Sequence, residues 1–372
     1  MKITVIKDYL TKALHILSRV VRSSGNLPVL SSVYFEVKNN KLTLKATNLE
    51  IGVIYSIGAS VEKKGEVAIP LRVLNDVVDG VVEKKIKLEK KGDSLRVKTK
   101  SIDTEIKGLD IGDFPIIPKV EKGRIFSLDN QILSKAIEQV IPSMAISNMR
   151  PDLSSVFIKT NSDIRVVATD GFRLGEKIVT SADLNKKQDP NSIILPGQSA
   201  SEIMYILSQI PGVSSIILEE SQIAIKSENL YIVSRIIDGN YPDYTQIIPK
   251  EFKTTTIIDR KEFLNSVKLA SIFSGKDMND VLIEVNSKKK KIIISSQSKE
   301  VGKGVYEIKG EIKGGDVKII LNHRYLVDGL NSIQEQNVEL YLNKEDTPIL
   351  IKPFKKGKKS NFLYLLSPIK KQ

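Results

Sequence analysis

Two stretches of the chain decide its organisation, because the second is a modified copy of the first. They read LPVLSSVYFEVKNNKLTLKATNLE, residues 27–50, and RPDLSSVFIKTNSDIRVVATDGFRL, residues 150–174. Leu-Ser-Ser-Val recurs after 123 positions and Ala-Thr after 122. A weaker third copy, DVLIEVNSKKKKIIISSQ, occupies residues 280–297. Alternating apolar residues around a polar turn predict two paired strands in each copy, so the chain is built from repeats.

A helix is predicted before each pair of strands, because apolar residues recur there at helical spacing. These positions are Leu10, Ala13, Leu14, Leu17 and Val21 in the first copy, Leu133, Ala136, Ile137, Val140 and Met144 in the second, and Phe263, Val267 and Ala270 in the third. A second helix is predicted after Pro70, Pro196 and Asn322, which are spaced 126 residues apart. We therefore expect three α+β domains of one design, at residues 1–122, 123–252 and 253–372.

The composition favours an anionic partner and excludes several classes of protein. The 372 residues carry 57 Lys and Arg against 44 Asp and Glu, a net charge of +13. A basic excess is typical of nucleic-acid binding, although a solvated lysine-rich surface explains it equally well. The absence of cysteine excludes disulfides, thiol catalysis and thiolate-bound zinc. With no signal-peptide pattern and no apolar run near the ~18 residues of a membrane span, we expect a cytoplasmic protein without a membrane partner.

Residues suited to catalysis or metal binding are scarce. The two histidines, His15 and His323, lack a matching set of partners, and no phosphate-binding glycine motif is present. Asp170, in the stretch VVATDGFRL, is a candidate general base, but Thr-Asp-Gly is more typical of a turn. We therefore expect a protein that is not an enzyme and needs neither a cofactor nor a metal.

The polar face of the first helix is cationic. Lys12, His15, Arg19 and Arg22 follow one another at i, i+3, i+7 and i+10, opposite the apolar stripe. Lys261 and Lys268 repeat this pattern in the third domain. Such a face is suited to the phosphate backbone of duplex DNA, which it would contact without reading the sequence. A solvated face is the alternative interpretation for any single helix.

The whole chain resembles the bacterial DNA polymerase III β subunit, the sliding-clamp family. The resemblance rests on LPVLSSV and KATNLE in the first domain, ATDGFRL and YPDYTQIIP in the second, and LNHRYLVDGL and YLLSPIK in the third. It implies three DNA-clamp domains in a head-to-tail homodimer that closes into a ring, with helices lining the hole and sheets outside. The implied function is that of a processivity factor, a non-catalytic subunit of the polymerase III holoenzyme. The implied partners are duplex DNA, the replicative polymerase, the clamp loader and other proteins with a clamp-binding motif.

The resemblance also assigns residues to two surfaces. The DNA-facing residues would be Lys12, Arg19, Arg22, Lys135, Arg150, Lys261 and Lys268. A pocket for partner peptides would be lined by Leu153, Thr169, Gly171, Phe172, Arg173, Leu174, Pro242, Ile247, Met278, Asn322, Tyr325, Pro368 and Ile369. Among these, we expect the large apolar side chains to form the floor of the pocket, and Arg173 to hold a polar or acidic peptide group at its rim. Phe172 stands where the family often has His or Tyr, and the tail, SPIKK, also departs from the family pattern.

Two other functions compete with this interpretation. A non-specific DNA-binding repeat protein that forms no ring would bind linear and circular DNA alike, whereas a ring would slide off linear ends. A hydrolase that used Asp170 would lose its turnover when that residue is changed to Asn.

Overall fold

The computed structural model describes residues 1–21, 27–147, 149–180, 191–275 and 278–369. The first third of the chain contains two helices, nine strands and a 3₁₀ turn within these described residues. The helices are α1 (Lys7–Ser18) and α2 (Leu71–Asp79), and the turn spans Pro28–Ser31. The strands are β1 (Lys2–Ile6), β2 (Ser32–Lys38), β3 (Lys41–Thr47), β4 (Ile51–Gly58), β5 (Ser60–Lys63), β6 (Gly65–Pro70), β7 (Lys85–Lys91), β8 (Ser94–Lys98) and β9 (Asp103–Lys107).

The middle and last thirds repeat this order of elements. The middle third contains β10 (Arg124–Asp129), α3 (Asn130–Val140), β11 (Ser155–Thr160), β12 (Ile164–Thr169), β13 (Arg173–Val179), β14 (Asn191–Pro196), α4 (Gly197–Gln209), β15 (Val213–Leu218), β16 (Gln222–Lys226) and β17 (Leu230–Arg235), with 3₁₀ turns at Ile141–Ser143 and Tyr244–Ile247. The last third contains β18 (Thr254–Asp259), α5 (Arg260–Ser271), β19 (Asp280–Asn286), β20 (Lys291–Ser298), β21 (Gly302–Lys309), β22 (Glu311–Lys313), β23 (Val317–Asn322), α6 (His323–Asn331), β24 (Asn337–Leu342), β25 (Ile349–Phe354) and β26 (Phe362–Leu366).

The helices begin where the sequence predicts them. A second helix of each repeat follows directly after Pro70, Pro196 and Asn322. In α1 the predicted apolar residues Leu10, Ala13, Leu14 and Leu17 are buried. Val20, rather than the predicted Val21, continues this buried stripe, because α1 ends at Ser18 and the chain leaves helical phase beyond it.

The strands form antiparallel sheets within two compact units. Unit 1 comprises Met1–Ser134 and Glu202–Ile236, and unit 2 comprises Lys135–Ser201 and Ile237–Gln372. The described strands of unit 1 form one sheet in the order β5-β1-β7-β8-β9 and another in the order β10-β15-β16-β17-β4-β3-β2-β6. Those of unit 2 form the sheets β14-β11-β12-β13-β26-β25-β24-β18-β22 and β21-β20-β19-β23. The structure thus has the mixed α+β architecture that the repeats predict.

Equivalent strands join neighbouring repeats within each unit. In unit 1, β4 pairs with β17, with Val53 opposite Ile232. In unit 2, the equivalent strand β13 pairs with β26, with Leu174 opposite Leu365. Because these pairs are antiparallel, the turn before β4 lies at the same end of the sheet as the end of β17. In the same way, the turn before β13 lies beside the end of β26. In unit 2 this end contains Arg173 and Leu174 of the predicted pocket.

Candidate functional site

A five-residue turn connects β12 to β13, and we call residues 169–173 the Thr169 turn. The Thr169 hydroxyl donates to the carbonyl oxygen of Arg173 at 2.6 Å and accepts from the Gly171 amide at 3.1 Å. One oxygen of Asp170 accepts from the amides of Phe172 and Arg173 at 2.9 and 3.0 Å. Gly171 has a φ of +91°, which glycine adopts without the steric penalty of a side chain. Asp170 therefore holds the turn together, as Asp and Asn do in many turns.

Arg173 is buried at the end of this turn, with only 5% of its surface exposed. Its Nε donates to the second oxygen of Asp170 at 2.9 Å, and its Nη1 donates to Asp328 of α6 at 2.5 Å. The guanidinium carbon also lies 4.1 Å from the centre of the Tyr325 ring, a cation–π contact. We expected Arg173 to be exposed at the rim and to bind an acidic peptide group, and this geometry disagrees with that expectation. The guanidinium is engaged by two carboxylates and ties the Thr169 turn to α6.

Helix α6 and the segment after β26 complete one side of the site. Asn322 caps α6 by accepting from the amides of Arg324 and Tyr325 at 3.0 and 3.4 Å. The carbonyl oxygen of Tyr325 accepts from the buried Tyr364 hydroxyl at 2.7 Å. Beyond β26, the Ser367 amide donates to the carbonyl oxygen of Phe172 at 2.8 Å. The turn, the start of α6 and the tail are therefore joined by direct hydrogen bonds.

The tail continues along the edge of the four-stranded sheet. The Ile369 amide donates to the carbonyl oxygen of Ile320 in β23 at 2.8 Å. Pro368, which has no amide hydrogen, lies between this bond and the one made by Ser367. Pro368 and Ile369 thus lie beside β23 of the last domain. Lys370 and Lys371 of the predicted tail lie outside the described residues.

An apolar cluster supports the other side of the site. Leu174 is fully buried and packs with Val167, Tyr244, Leu350 and Leu365. The Tyr244 hydroxyl donates to Glu176 at 2.6 Å, and burial is the main cause of its raised pKa. Tyr244 belongs to residues 241–248, which also contribute Tyr241 and Ile248 to this cluster. Leu174 consequently supports the site from within the core, whereas we expected it on an open floor.

The exposed apolar side chains of the predicted pocket are Phe172, Ile247 and Met278. Their exposed fractions are 64%, 44% and 70%, high values for side chains of this size. Pro242, five positions before Ile247, is also exposed. Leu153 is half-buried, and its carbonyl oxygen accepts from the Ala145 amide at 3.0 Å. The hydrogen bonds of Leu153 and Met278 within the described residues are local and do not reach the Thr169 turn.

Among the residues of the site that were not predicted from the sequence, Asp328 and Tyr364 bind the Thr169 turn and β26 to α6. Asp328 lies three positions after Tyr325, on the same face of α6, where a carboxylate can meet a buried arginine. That spacing was the available signal. The sequence contains no comparable signal for Tyr364, because a single tyrosine in an apolar strand is common in protein cores.

The cationic face predicted for α1 is present on the described part of the helix. Lys12, His15 and Arg19 are exposed, and Lys12 and His15 line a groove of about 300 Å³ together with Tyr205 of α4. Arg19 does not project freely, because its Nε donates to Glu202 at 2.8 Å and its guanidinium lies 4.6 Å from the centre of the Tyr205 ring. Arg22 lies outside the described residues.

The other predicted DNA-facing residues are also on the surface. Lys135 on α3 and Lys261 and Lys268 on α5 are exposed. Arg150 is exposed but donates to both oxygens of Asp152, at 3.2 and 2.7 Å. Hydrogen bonding to Arg150 lowers the pKa of the Asp152 carboxyl. Arg150 therefore carries its own counter-charge, whereas the three lysines form no ion pair within the described ranges.

Comparison with known proteins identifies the family. Residues 1–118, 127–243 and 245–367 match the N-terminal, central and C-terminal domains of the DNA polymerase III beta subunit. The beta sliding clamp of Bacillus subtilis is 26% identical over 364 residues, covering 95% of this chain and 96% of that protein. That of Synechococcus elongatus is 25% identical over 375 residues, covering 99% of both.

Solved structures show the same fold. The Thermotoga maritima DNA polymerase III beta subunit superposes with a TM-score of 0.91 at 25% identity, and each chain is covered completely. The Pseudomonas aeruginosa sliding clamp bound to griselimycin superposes with a TM-score of 0.93 at 24% identity, covering 100% of this chain and 99% of that one. The fold and the repeated junctions therefore define a protein of the sliding-clamp class. The chain belongs to the DNA polymerase III beta subunit family, as its sequence motifs predict.

The described residues contain no cluster of His, Cys, Asp or Glu arranged to hold a metal ion. Within the same ranges, no helix is both long enough and apolar enough to cross a bilayer.

Proposed function

We propose that this protein is a sliding clamp, which encircles duplex DNA without reading its sequence and keeps a polymerase on its template. The observation that carries the proposal is the match of all three repeats, in order, to the domains of the beta subunit. The exposed lysines on α1, α3 and α5 support it, since each repeat offers a cation on its first helix. In this proposal the domains are residues 1–122, 123–252 and 253–372, and the protein acts on DNA in the cytoplasm.

We propose that two chains close the ring by a head-to-tail contact between the first domain of one and the third domain of the other. In the first domain, β9 is a sheet edge, and Val73 and Val82 are exposed. In the third domain, β21 is a sheet edge, and Leu269 and Ile272 are exposed. Two free edges can join into one antiparallel sheet, with these apolar side chains buried beside it.

Retention on DNA tests the ring. The protein, placed by its loader on a nicked circular plasmid, should stay bound through gel filtration and be lost once the plasmid is linearised. A non-specific DNA-binding repeat protein would remain on both forms. Ile272→Glu should yield a monomer by light scattering and abolish retention on the circle. A wild-type protein that stays monomeric at micromolar concentration, or is retained equally on linear DNA, contradicts the proposal.

The proposed partner site in unit 2 consists of the Thr169 turn, residues 241–248, the start of α6 and the tail to Ile369. We propose that it binds the short linear motifs of polymerases, the clamp loader and other replication proteins. Phe172, Ile247 and Met278 offer exposed apolar contacts, and methionine adapts to partners of different shape. A few buried anchors carry most of the energy of such binding. The double change Ile247→Ser and Met278→Ser should abolish polymerase binding while the dimer remains.

This function is not catalytic. Both oxygens of Asp170 are engaged by the amides of the turn and by Arg173, so the carboxylate serves the fold. Asp170→Asn therefore tests the hydrolase alternative, which predicts that the wild-type protein hydrolyses a substrate and that the variant does not.

A further inference from the structure

The Thr169 turn has a structural copy in unit 1, at residues 47–51, which we call the Thr47 turn. The Thr47 hydroxyl donates to the carbonyl oxygen of Ile51 at 3.0 Å and accepts from the Leu49 amide at 3.1 Å. Asn48 accepts from the amides of Glu50 and Ile51 at 3.1 and 2.9 Å, as Asp170 does in the other copy. The same set of hydrogen bonds is therefore built twice in one chain.

The next contact is repeated as well. The Arg235 amide donates to the carbonyl oxygen of Glu50 at 2.9 Å. In unit 2 the Ser367 amide donates to the equivalent oxygen, that of Phe172, at 2.8 Å. The end of β17 thus meets the Thr47 turn in the same way as Ser367, just after β26, meets the Thr169 turn.

A groove of about 380 Å³ lies beside the Thr47 turn, and we call it the Leu49 groove. Its apolar lining includes Leu49, Ile51, Pro115 and Ile116, and its polar lining includes Glu50 and Arg235. Pro115 and Ile116 belong to the segment GDFPIIPK, the counterpart of GNYPDYTQIIPK in the second domain. The Leu49 groove is therefore lined by the equivalents of the Thr169 turn, of residues 241–248 and of the end of β26 but, among the described residues, not by an equivalent of the start of α6.

The wall of this groove is held in place from behind. The Tyr231 hydroxyl accepts from the Val120 amide at 2.8 Å and donates to the carbonyl oxygen of Pro118 at 3.0 Å. Ile117 packs on a buried cluster that contains Val120 and Val233. Little ordering is needed on binding when a groove is already formed, so this wall is suited to recognition.

Two large apolar side chains at this groove are exposed to solvent. Leu49 is 48% exposed and Ile116 is 93% exposed. Leu49 also has a φ of +76°, at the position where the other copy has Gly171. A bulky residue in that conformation is strained, and its partial exposure offers little burial to offset the strain. A folding role explains neither the choice of leucine nor the exposure of Ile116.

The charges at the groove favour a peptide over nucleic acid. Glu50 and Arg235 are both exposed, and neither forms a salt bridge within the described residues. One free anion beside one free cation gives no net attraction for a phosphate backbone. A peptide can supply an apolar anchor between Leu49 and Ile116 and a carboxylate for Arg235, a strong pairing for arginine.

We propose that the Leu49 groove is a second peptide site, which binds a short extended peptide carrying one large apolar anchor and one acidic group. The inference rests on the proposed function, because it extends motif recognition from unit 2 to its structural copy in unit 1. Each chain would then bind two different partner peptides at once.

An immobilised hexapeptide library tests the proposal, with one Leu or Phe and one Asp placed at every pair of positions and Ala elsewhere. The full-length protein is compared with two variants, Leu49→Gly with Ile116→Ser, and Ile247→Ser with Met278→Ser. Both variants change exposed side chains, and circular dichroism checks that they fold. We expect one set of peptides whose binding falls at least tenfold in the first variant only. Arg235→Glu should shift that set from Asp peptides to the matching Lys peptides.

The outcomes separate the two sites. If every bound peptide depends only on Ile247 and Met278, the Leu49 groove is not a peptide site, and the proposed function stands. If bound peptides depend only on Leu49 and Ile116, the groove is confirmed and the partner site in unit 2 is wrong. If no peptide binds, or if Arg235→Glu leaves the preferred charge unchanged, the inference fails.

Discussion

Replacing Arg173 with Met should destabilise unit 2 and weaken partner binding only indirectly. The side chain is 5% exposed and is bound by Asp170 and Asp328. Loss of the guanidinium leaves the Asp170 carboxylate, itself 10% exposed, without its counter-charge. Removal of one partner of a buried ion pair costs about 3–5 kcal/mol. Since Asp328 is 43% exposed and stays hydrated, we expect a loss near the lower end, about 3 kcal/mol.

Urea unfolding followed by circular dichroism measures this loss, and two variants serve as controls. Asp328→Asn should cost about 1 kcal/mol or less, because its carboxylate is partly in water. Arg173→Lys keeps the charge but has no planar fork to reach both carboxylates, so we expect an intermediate loss. A double-mutant cycle should give a larger coupling energy for Arg173 with Asp170 than for Arg173 with Asp328.

Peptide binding distinguishes a buried support from a ligand at the rim. If Arg173 acts only through the fold, Arg173→Met should weaken acidic and neutral motif peptides by the same factor. The reasoning is refuted if the unfolding free energy changes by less than about 0.5 kcal/mol, a typical surface value, while acidic peptides alone lose affinity. That result would place the guanidinium in solvent, in contact with the peptide.

Three further predictions follow from the same geometry. Gly171→Ala should lower the unfolding free energy by about 1–2 kcal/mol in urea titrations, because φ is +91° there, whereas Leu49→Gly at the equivalent position should cause no comparable loss. Burial raises the pKa of Tyr241 and Tyr244 above the ordinary 10.0, so the stability that they confer is complete below about pH 10 and declines as the pH rises further. Urea midpoints should therefore fall above about pH 10, and less steeply in Tyr244→Phe. Lys12→Ala should reduce the salt slope of DNA binding by about 0.9, and Arg19→Ala by less, because Arg19 is already paired with Glu202; equal slopes for both variants would contradict this difference.

Local features of the fold were predictable because they depend on neighbours in sequence. The spacing of Leu10, Leu14 and Leu17 identifies the buried face of α1, and Asn39 and Asn40 mark the hairpin between β2 and β3. Both asparagines adopt positive φ, which two-residue turns of this kind require. The pairing of β4 with β17 was not predictable, since their register joins Val53 to a residue 179 positions away, Ile232. The alternation of apolar and polar residues shows which face of a strand is buried. Many strands of this chain have the same alternation, so the pattern cannot identify the partner strand.

The position of Arg173, which was predicted at the rim and is buried, shows what a motif can and cannot reveal about a site. An arginine after a turn is usually exposed, and only the fold brings Asp328 to it from a helix 155 positions away. Comparison with the Thr47 turn shows which residues of the motif form the turn. The Thr47 turn keeps the bonds of the Thr169 hydroxyl and those from the turn amides to Asp170, although Leu49 replaces Gly171 and Ile51 replaces Arg173. Threonine and the following Asp or Asn therefore build the turn, and Arg173 fastens it to α6. In ATDGFRL this leaves Phe172 as the large exposed side chain, and in the proposed partner site it is this residue, rather than the motif as a whole, that would contact a partner.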